Sequence, residues 1–371
     1  MTSFRDERVQ RWVGFGAVPV LAVVLGIAVA VASSPASLTR GQHALGSPAP
    51  IQASPSPSVA ASPSPPTVTE PGILGGGPHL VAAGSTSLAA FGPNLAAASA
   101  DGGKTWTILR PPSKAVGVAI DPGNPSRGIT GGNNIQVTLD GGGSWKSPVT
   151  APPGPAAYQP LLVSPFDGAI WFLVHGGKLL RTRDAGQTWR DIGGLPALNN
   201  PVLVPGQVFG QFYLGSGGSL FELVDNGQQV LAQPSLPGGV SVNALAAVGG
   251  GQATLVARAS NGGLQLLTRG AWTPLTAALS GPVAAGANGI VVVGDGGTKL
   301  GVPAQVAYSF DGGSTWRSAV GLPYDQTVEA LAGQPSSTTL FAYCYGGDVY
   351  ASADGGASWS VYSRALRNRA G

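Results

Sequence analysis

Cysteine, histidine and charged residues are scarce in this sequence, and their scarcity excludes several classes of protein. Cys344 is the only cysteine among 371 residues, so no intramolecular disulfide can form. His43, His79 and His175 stand far apart in the sequence, and no zinc-type spacing is present, so we expect neither a metal site nor a cofactor. Charged residues make up 10% of the chain, and the net charge of +3 is not gathered into a basic stripe. Nucleic-acid binding is therefore not expected.

Glycine and proline are abundant instead. The chain has 58 glycines and 32 prolines, yet 43% of its residues are apolar and eight are tryptophans. Many short strands joined by tight turns would reconcile these numbers. The composition therefore predicts an all-β protein.

The N-terminal region combines an apolar run with a proline-rich stretch. Arginines precede an uncharged run from Trp12 to Ala32, which is long enough to cross a bilayer core. The positive-inside rule then places the N-terminus in the cytoplasm and the rest outside. We predict a cytoplasmic start at residues 1–11, a single transmembrane signal-anchor helix at 12–33 and a disordered Pro/Ser linker at 34–77. The alternative is a signal peptide cleaved after Ala32, which would secrete the protein.

An octapeptide of the form Ser/Thr-x-Asp-x-Gly-x-Ser/Thr-Trp recurs after the linker. Its five complete copies end at Trp106, Trp145, Trp189, Trp316 and Trp359. Two degenerate copies, around Asp225 and Trp272, complete a series of seven repeats spaced 39 to 44 residues apart. Each repeat reads as four short strands, which need neighbouring repeats to bury their apolar faces. The spacing predicts a seven-bladed β-propeller over residues 78–365, followed by a tail at 366–371.

This octapeptide resembles the Asp-box, or bacterial neuraminidase (BNR) repeat. Families with the motif include sialidases, xyloglucanase-type glycosidases, the sortilin luminal domain and the photosystem II stability/assembly factors. The assembly factors resemble this chain most in size. That resemblance implies a single propeller with Asp-box hairpins that holds protein partners and is not an enzyme.

The residues of the box have physical roles in a hairpin. The Asp carboxylate can accept hydrogen bonds within the turn between the third and fourth strands, and the Trp can cover that turn. We therefore assign structural roles to five pairs: Asp101 and Trp106, Asp140 and Trp145, Asp184 and Trp189, Asp311 and Trp316, and Asp354 and Trp359.

A candidate binding site follows from aligning the first strands of the repeats. The alignment gives equivalent positions to His79, Gln159, Asn200, Asn243 and Glu329, which would form a polar ring at the mouth of the central channel. His79 and Glu329 belong to the first and last repeats, so a closed ring would bring them together. Such a ring could bind a small polar ligand or a peptide group, or its members could simply face water. Tyr158 and Tyr324 are placed in loops on the same face.

Two functions compete at this stage. The first is a membrane-anchored, extracytoplasmic scaffold that binds protein or polysaccharide partners through its loop face. The alternative is a glycoside hydrolase, xyloglucanase-like or sialidase-like, which requires two facing carboxylates when it inverts configuration. Within the predicted propeller, the carboxylates outside the boxes are Asp121, Asp167, Asp191, Glu222, Asp295, Asp325, Glu329 and Asp348. The Phe/Tyr-Arg-Ile/Leu-Pro segment typical of sialidases does not occur, which favours the scaffold.

Overall fold

The computed structural model describes most of the C-terminal region of the chain. The described residues are 79–83, 87–92, 95–101, 104–112, 115, 117–148, 150, 153–154, 156–250, 253–277, 279–296, 301–333 and 336–366. The predicted signal-anchor and linker lie outside these residues and stay predictions. Among the described residues there is no helix with the length and apolar character of a bilayer span.

Six four-stranded antiparallel sheets make up the described chain together with one smaller sheet, as in a β-propeller. Blade one comprises β1 (His79–Ala83), β2 (Ser87–Gly92), β3 (Leu95–Ser99) and β4 (Thr107–Ile108). The smaller sheet comprises β5 (Gly117–Ile120), β6 (Gly128–Gly131) and β7 (Gln136–Thr138). Blade two comprises β8 (Tyr158–Val163), β9 (Trp171–His175), β10 (Lys178–Thr182) and β11 (Arg190–Asp191).

The remaining four blades have the same strand order, in which each strand pairs with the next along the chain. Blade three comprises β12 (Val202–Pro205), β13 (Phe212–Ser216), β14 (Ser219–Val224) and β15 (Gln229–Gln233). Blade four follows a short 3-10 turn (Pro237–Gly239) and comprises β16 (Val242–Ala247), β17 (Ala253–Ala259), β18 (Leu264–Thr268) and β19 (Ala271–Leu275). Blade five comprises β20 (Val283–Ala285), β21 (Val291–Gly294), β22 (Val306–Ser309) and β23 (Arg317–Ser318). Blade six comprises β24 (Val328–Gly333), β25 (Leu340–Cys344), β26 (Val349–Ser352) and β27 (Ser360–Ser363).

The predicted β-propeller is thus confirmed, but the prediction of seven blades is wrong. The described chain has six complete blades, and the repeat that ends at Trp145 forms only the three-stranded sheet. Its fourth strand is reduced to a single bridge between Val137 and Lys146. Pro148 follows two residues after Lys146 and has no N–H group, so it cannot continue the ladder. The spacing of the octapeptide predicts where the hairpin turns lie, but it does not predict whether a full fourth strand follows each turn.

The core lies between neighbouring sheets because alternate residues of each strand point to opposite faces. In β17, Leu255 and Ala257 pack with residues of blade three, whereas Val256 packs with residues of blade five. All three side chains are fully buried. At the ring closure β1 lies against β24, and one apolar cluster joins blades one and six.

Candidate functional site

The two ends of the ring differ in what they present. The box face is the end at which the third strands finish and the octapeptide turns lie. The loop face is the opposite end, where first strands begin and where the hairpins join second to third strands. The box turns that contain Asp140, Asp184, Asp311 and Asp354 each bond to the loop after the first strand of the same sheet, as from Gly141 N to Ser126 O at 2.9 Å.

The five complete octapeptides share one set of hydrogen bonds on the box face. In the first copy, Asp101 Oδ1 accepts from Ser99 Oγ at 2.8 Å and from Thr105 N at 2.9 Å, and its Oδ2 accepts from Thr105 Oγ1 at 2.6 Å. Asp140, Asp184, Asp311 and Asp354 repeat this pattern. Each carboxylate therefore fastens both ends of its turn.

These bonds stabilise the ionised form of the box carboxylates. The side-chain hydrogen bond from Thr105 is the main reason that the pKa of Asp101 falls to about 2. The bond from Ser144 lowers the pKa of Asp140 to about 2, and that from Ser309 does the same for Asp311. A general acid needs a raised pKa, so these groups are unsuited to that task.

The five predicted ring residues lie at the loop-face ends of their blades. Gln159, Asn243 and Glu329 are the second residues of β8, β16 and β24, and Asn200 lies just before β12. Gln159, Asn200 and Asn243 are exposed, and Glu329 is half-buried. His79 is the first residue of β1, but its side chain is not among those described, so the predicted pairing with Glu329 stays a prediction. Within the described residues, no hydrogen bond or ion pair joins any two of the other four.

Asn243 and Glu329 occupy one special backbone position in blades four and six. Each lies in a β-bulge at the start of the first strand, between the paired residues Val242 and Ala244 and between Val328 and Ala330. A bulge re-aims the side chain of the extra residue. The two positions are therefore equivalent, as the alignment predicts, whereas the bulge of blade two lies farther along its strand.

Glu329 is the ionisable group among the four ring residues whose side chains are described. Burial raises the pKa of its carboxyl group to about 7, and no neighbouring cation opposes that effect. Its carboxylate makes no hydrogen bond within the described part of the chain. A half-buried carboxyl without a partner near neutral pH is typical of functional sites.

The loop before β24 is held rigidly beside Glu329. The buried Gln326 donates from Nε2 to Asp348 Oδ2 at 3.0 Å and accepts at Oε1 from Gly346 N at 2.7 Å. On the other side, Gly301 N donates to Asp325 O at 2.6 Å. The loop is thus tied to the second hairpin of its own blade and to the long hairpin of blade five.

Tyr324 projects from this tied loop into solvent. Its side chain is 85% exposed, the highest value among the large exposed apolar residues of the described chain. Tyr158, predicted to lie in a loop on the same face, is instead 5% exposed and stacks on His175 with ring centroids 4.0 Å apart. The prediction that Tyr158 lies in a loop is therefore wrong, because it begins β8 and packs into the core.

Arg258 is a loop-face residue that the sequence analysis missed. It is the penultimate residue of β17, and its Nη1 donates to Ser280 O at the entrance of blade five. Its Nε is buried without a hydrogen-bond partner, and burial lowers the pKa of the guanidinium. The sequence does contain a signal for Arg258, because it is a single charged residue in an otherwise apolar strand. The alignment used only the first strands of the repeats and so did not include it.

The carboxylates needed for a hydrolase are mostly engaged in structure. Asp121 accepts from Gly123 N at 2.8 Å, Asp167 accepts from Ala169 N at 2.9 Å, and Asp191 forms an ion pair with Lys178 at 2.8 Å. Glu222, Asp295 and Asp348 accept hydrogen bonds from Gln211, Val328 N and Gln326, respectively. Within the described ranges, no group of three or more His, Cys, Asp and Glu side chains could hold a metal ion.

Comparison with known proteins finds similarity at the level of fold. No family model and no curated protein matches the chain. A GH74 enzyme from Niastella koreensis is similar with a TM-score of 0.52 and 16% identity over 78% of this chain and 55% of that enzyme. An ancestral GH74 enzyme gives a TM-score of 0.53 and 13% identity over 79% of this chain and 46% of that enzyme. YCF48 bound to D1 peptide gives 0.43 and 18% identity over 66% and 80% of the two chains.

The chain therefore spans about half the length of the GH74 enzymes that it resembles. At these identities the likeness is one of propeller fold alone. The chemistry of the site must come from its own residues, which are a projecting tyrosine, a half-buried carboxyl and a half-buried guanidinium on the loop face.

Proposed function

We propose that this chain is a membrane-anchored, extracytoplasmic Asp-box propeller that acts as a binding scaffold and holds a protein partner at its loop face. The observation that supports it best is Tyr324, 85% exposed on a loop that is hydrogen-bonded on both sides. Tyrosine supplies a large contact area at a small entropy cost, and a rigid support avoids the cost of ordering the loop on binding. An exposed aromatic residue on a fixed loop is thus suited to anchor a partner.

Site-specific photo-crosslinking in intact cells tests this scaffold. A photoreactive residue at position 324 is expected to capture one protein reproducibly, and excess untagged propeller is expected to reduce the yield. The same residue at position 139 provides a matched control, because Leu139 is 61% exposed on the box face. Equal capture at both positions, or no competition by untagged protein, would contradict a specific loop-face partner.

The anchor and the compartment are tested separately. In the proposal, residues 12–33 hold the propeller outside the cytoplasmic membrane and residues 34–77 form the stalk. Fractionation is expected to place the full chain in membranes, and protease added to cells stripped of their outer layers is expected to cleave it. Recovery of an intact, protease-protected chain would contradict this topology.

Glycoside hydrolysis is the second candidate, and Glu329 is the observation that favours it. A carboxyl with a pKa of about 7 can protonate a leaving group near neutral pH. Release of reducing sugar from β-glucan or xyloglucan by the wild type but not by Glu329→Gln would support an enzyme. Absence of release by the wild type would leave the scaffold as the function.

A further inference from the structure

Two ionisable groups of opposite sign lie on the loop face without a charged partner among the described residues. Arg258 in blade four and Glu329 in blade six are separated by blade five. Within the described residues only Lys178 with Asp191 and Arg364 with Asp348 form ion pairs. Burial shifts the pKa of each group away from its charged form.

Leaving such groups uncompensated costs stability. A half-buried charge loses hydration and recovers the loss only through a counter-charge or hydrogen bonds. Arg258 keeps one bond, to Ser280 O, and its Nε has none. Glu329 lies in a bulge and has no paired residue on the neighbouring strand β25. An arrangement of this kind is expected where an external partner supplies the missing charges.

Resting on the loop-face scaffold proposed above, we propose that the partner segment is a zwitterionic peptide stretch, which presents a carboxylate to Arg258 and an ammonium or guanidinium group to Glu329. A guanidinium binds carboxylates through a planar fork of donors, so Arg258 selects an acidic side chain or a chain end. The surroundings of Glu329 reinforce the choice of a cation. Asp325 is exposed in the adjoining loop, and the half-buried Asp295 lies on the hairpin of blade five that flanks this loop.

A peptide fits these demands better than a polysaccharide does. Arg258 and Glu329 together favour a ligand that carries both a negative and a positive charge. Peptides can present acidic and basic side chains in one chain. Tyr324, on the loop that precedes Glu329, adds an apolar contact beside the cation. An aromatic face next to a cation is also favourable in its own right.

Blocked model peptides test the charge pattern. The probes are acetylated, amidated peptides with Glu at one end, Lys at the other and Gly-Ser spacers of increasing length, since each extended residue spans about 3.3 Å. Control peptides carry Gln in place of Glu, of Lys or of both, and so bear one charge or none. Titration of the purified propeller by calorimetry is expected to show, at one spacer length, binding of the doubly charged peptide about tenfold tighter than of either singly charged one.

The variants assign each charge to its residue. The Arg258→Gln variant is expected to bind peptides with Glu and peptides with Gln at that position equally well. The Glu329→Gln variant is expected to bind peptides with Lys and peptides with Gln at that position equally well. Lys178→Gln is the matched control, because Lys178 is 68% exposed on the same face and already paired with Asp191. Thermal melting of each variant establishes that it is folded before titration.

The outcomes separate this inference from the proposed function. Equal or absent binding of all probes to the wild type, or an equal effect of Lys178→Gln, would overturn the zwitterionic pattern while the crosslinking result stands unaffected. Binding of a polyanionic polysaccharide that is lost in Arg258→Gln but unchanged in Glu329→Gln would overturn the peptide partner.

Discussion

Trp106 Nε1 donates a hydrogen bond to Ser363 Oγ across 3.2 Å, between residues 257 positions apart. The bond joins blade one to blade six, where the ring closes. Each sheet consists of strands consecutive in the chain, so no strand from one terminus completes a sheet at the other. Closure in the described chain therefore depends on side chains, and the buried Leu366 packs in the cluster that spans the junction.

Truncation of Leu366 is expected to weaken this closure. Leu366→Ala leaves a cavity in a fully buried cluster, which costs about 2–5 kcal/mol of unfolding free energy. Leu139→Ala, at an exposed position on the box face, should change it by less than about 0.5 kcal/mol. Urea unfolding followed by tryptophan fluorescence measures both, and similar values for the two variants would show that Leu366 does not secure the ring.

The octapeptide explains why much of the fold was predictable and why some of it was not. Its spacing locates hairpins such as that of Asp311, because a turn fastened by a carboxylate depends on residues close in sequence. The loss of the strand after Trp145 depends on how many residues continue the backbone hydrogen bonds to the third strand. The octapeptide does not determine that number. The exposure of the Tyr158 and Arg258 side chains depends on packing between sheets. No local sequence pattern indicates which face of a strand will contact a neighbouring sheet.

The serine hydroxyl at the first position of the box provides a local test of the hairpin. Ser309 Oγ accepts from Gly313 N at 2.7 Å and donates to Asp311 Oδ1 at 2.7 Å. Ser309→Ala leaves the buried Gly313 N–H without a partner, at a cost of about 1–3 kcal/mol. Ser314→Ala removes an exposed hydroxyl of the same turn, whose bond to Asp311 O water can replace, and should be near neutral. Equal shifts of the melting temperature in the two variants would show that the first hydroxyl has no special role.

The box carboxylates predict a loss of stability in acid. The pKa values of Asp101, Asp140 and Asp311 are lowered from 3.8 to about 2, so the folded state holds the ionised forms. Their contribution is present above pH 3.8 and is lost as the pH falls through about 2. A triple Asp→Asn variant should be less stable at pH 7 but show a flatter decline between pH 4 and 2 in urea unfolding. A decline as steep as that of the wild type would assign acid sensitivity to other groups.

Glu329 predicts a pH dependence of opposite sign. Its pKa is raised from 4.5 to about 7, so the folded state favours the neutral carboxyl. The stability associated with this group is complete below pH 4.5 and is lost as the pH rises through about 7. After allowance for solvent screening of a half-exposed group, Glu329→Gln should therefore stabilise the protein at pH 8 by roughly 1–2 kcal/mol relative to the wild type.

At pH 4 the Glu329→Gln variant and the wild type should unfold nearly alike, because the carboxyl is then protonated in the folded state and mostly protonated in the unfolded state. Glu329, Asp295, Asp325 and Asp348 all act on the thiol of the buried Cys344, which lies on the strand next to that of Glu329. Asp325→Asn is the control, since it removes a charge from the same loop without replacing the half-buried group. Urea midpoints at pH 4, 6 and 8 measure the effect. An advantage of Glu329→Gln that is independent of pH, or that Asp325→Asn reproduces, would show that desolvation of Glu329 is not its cause.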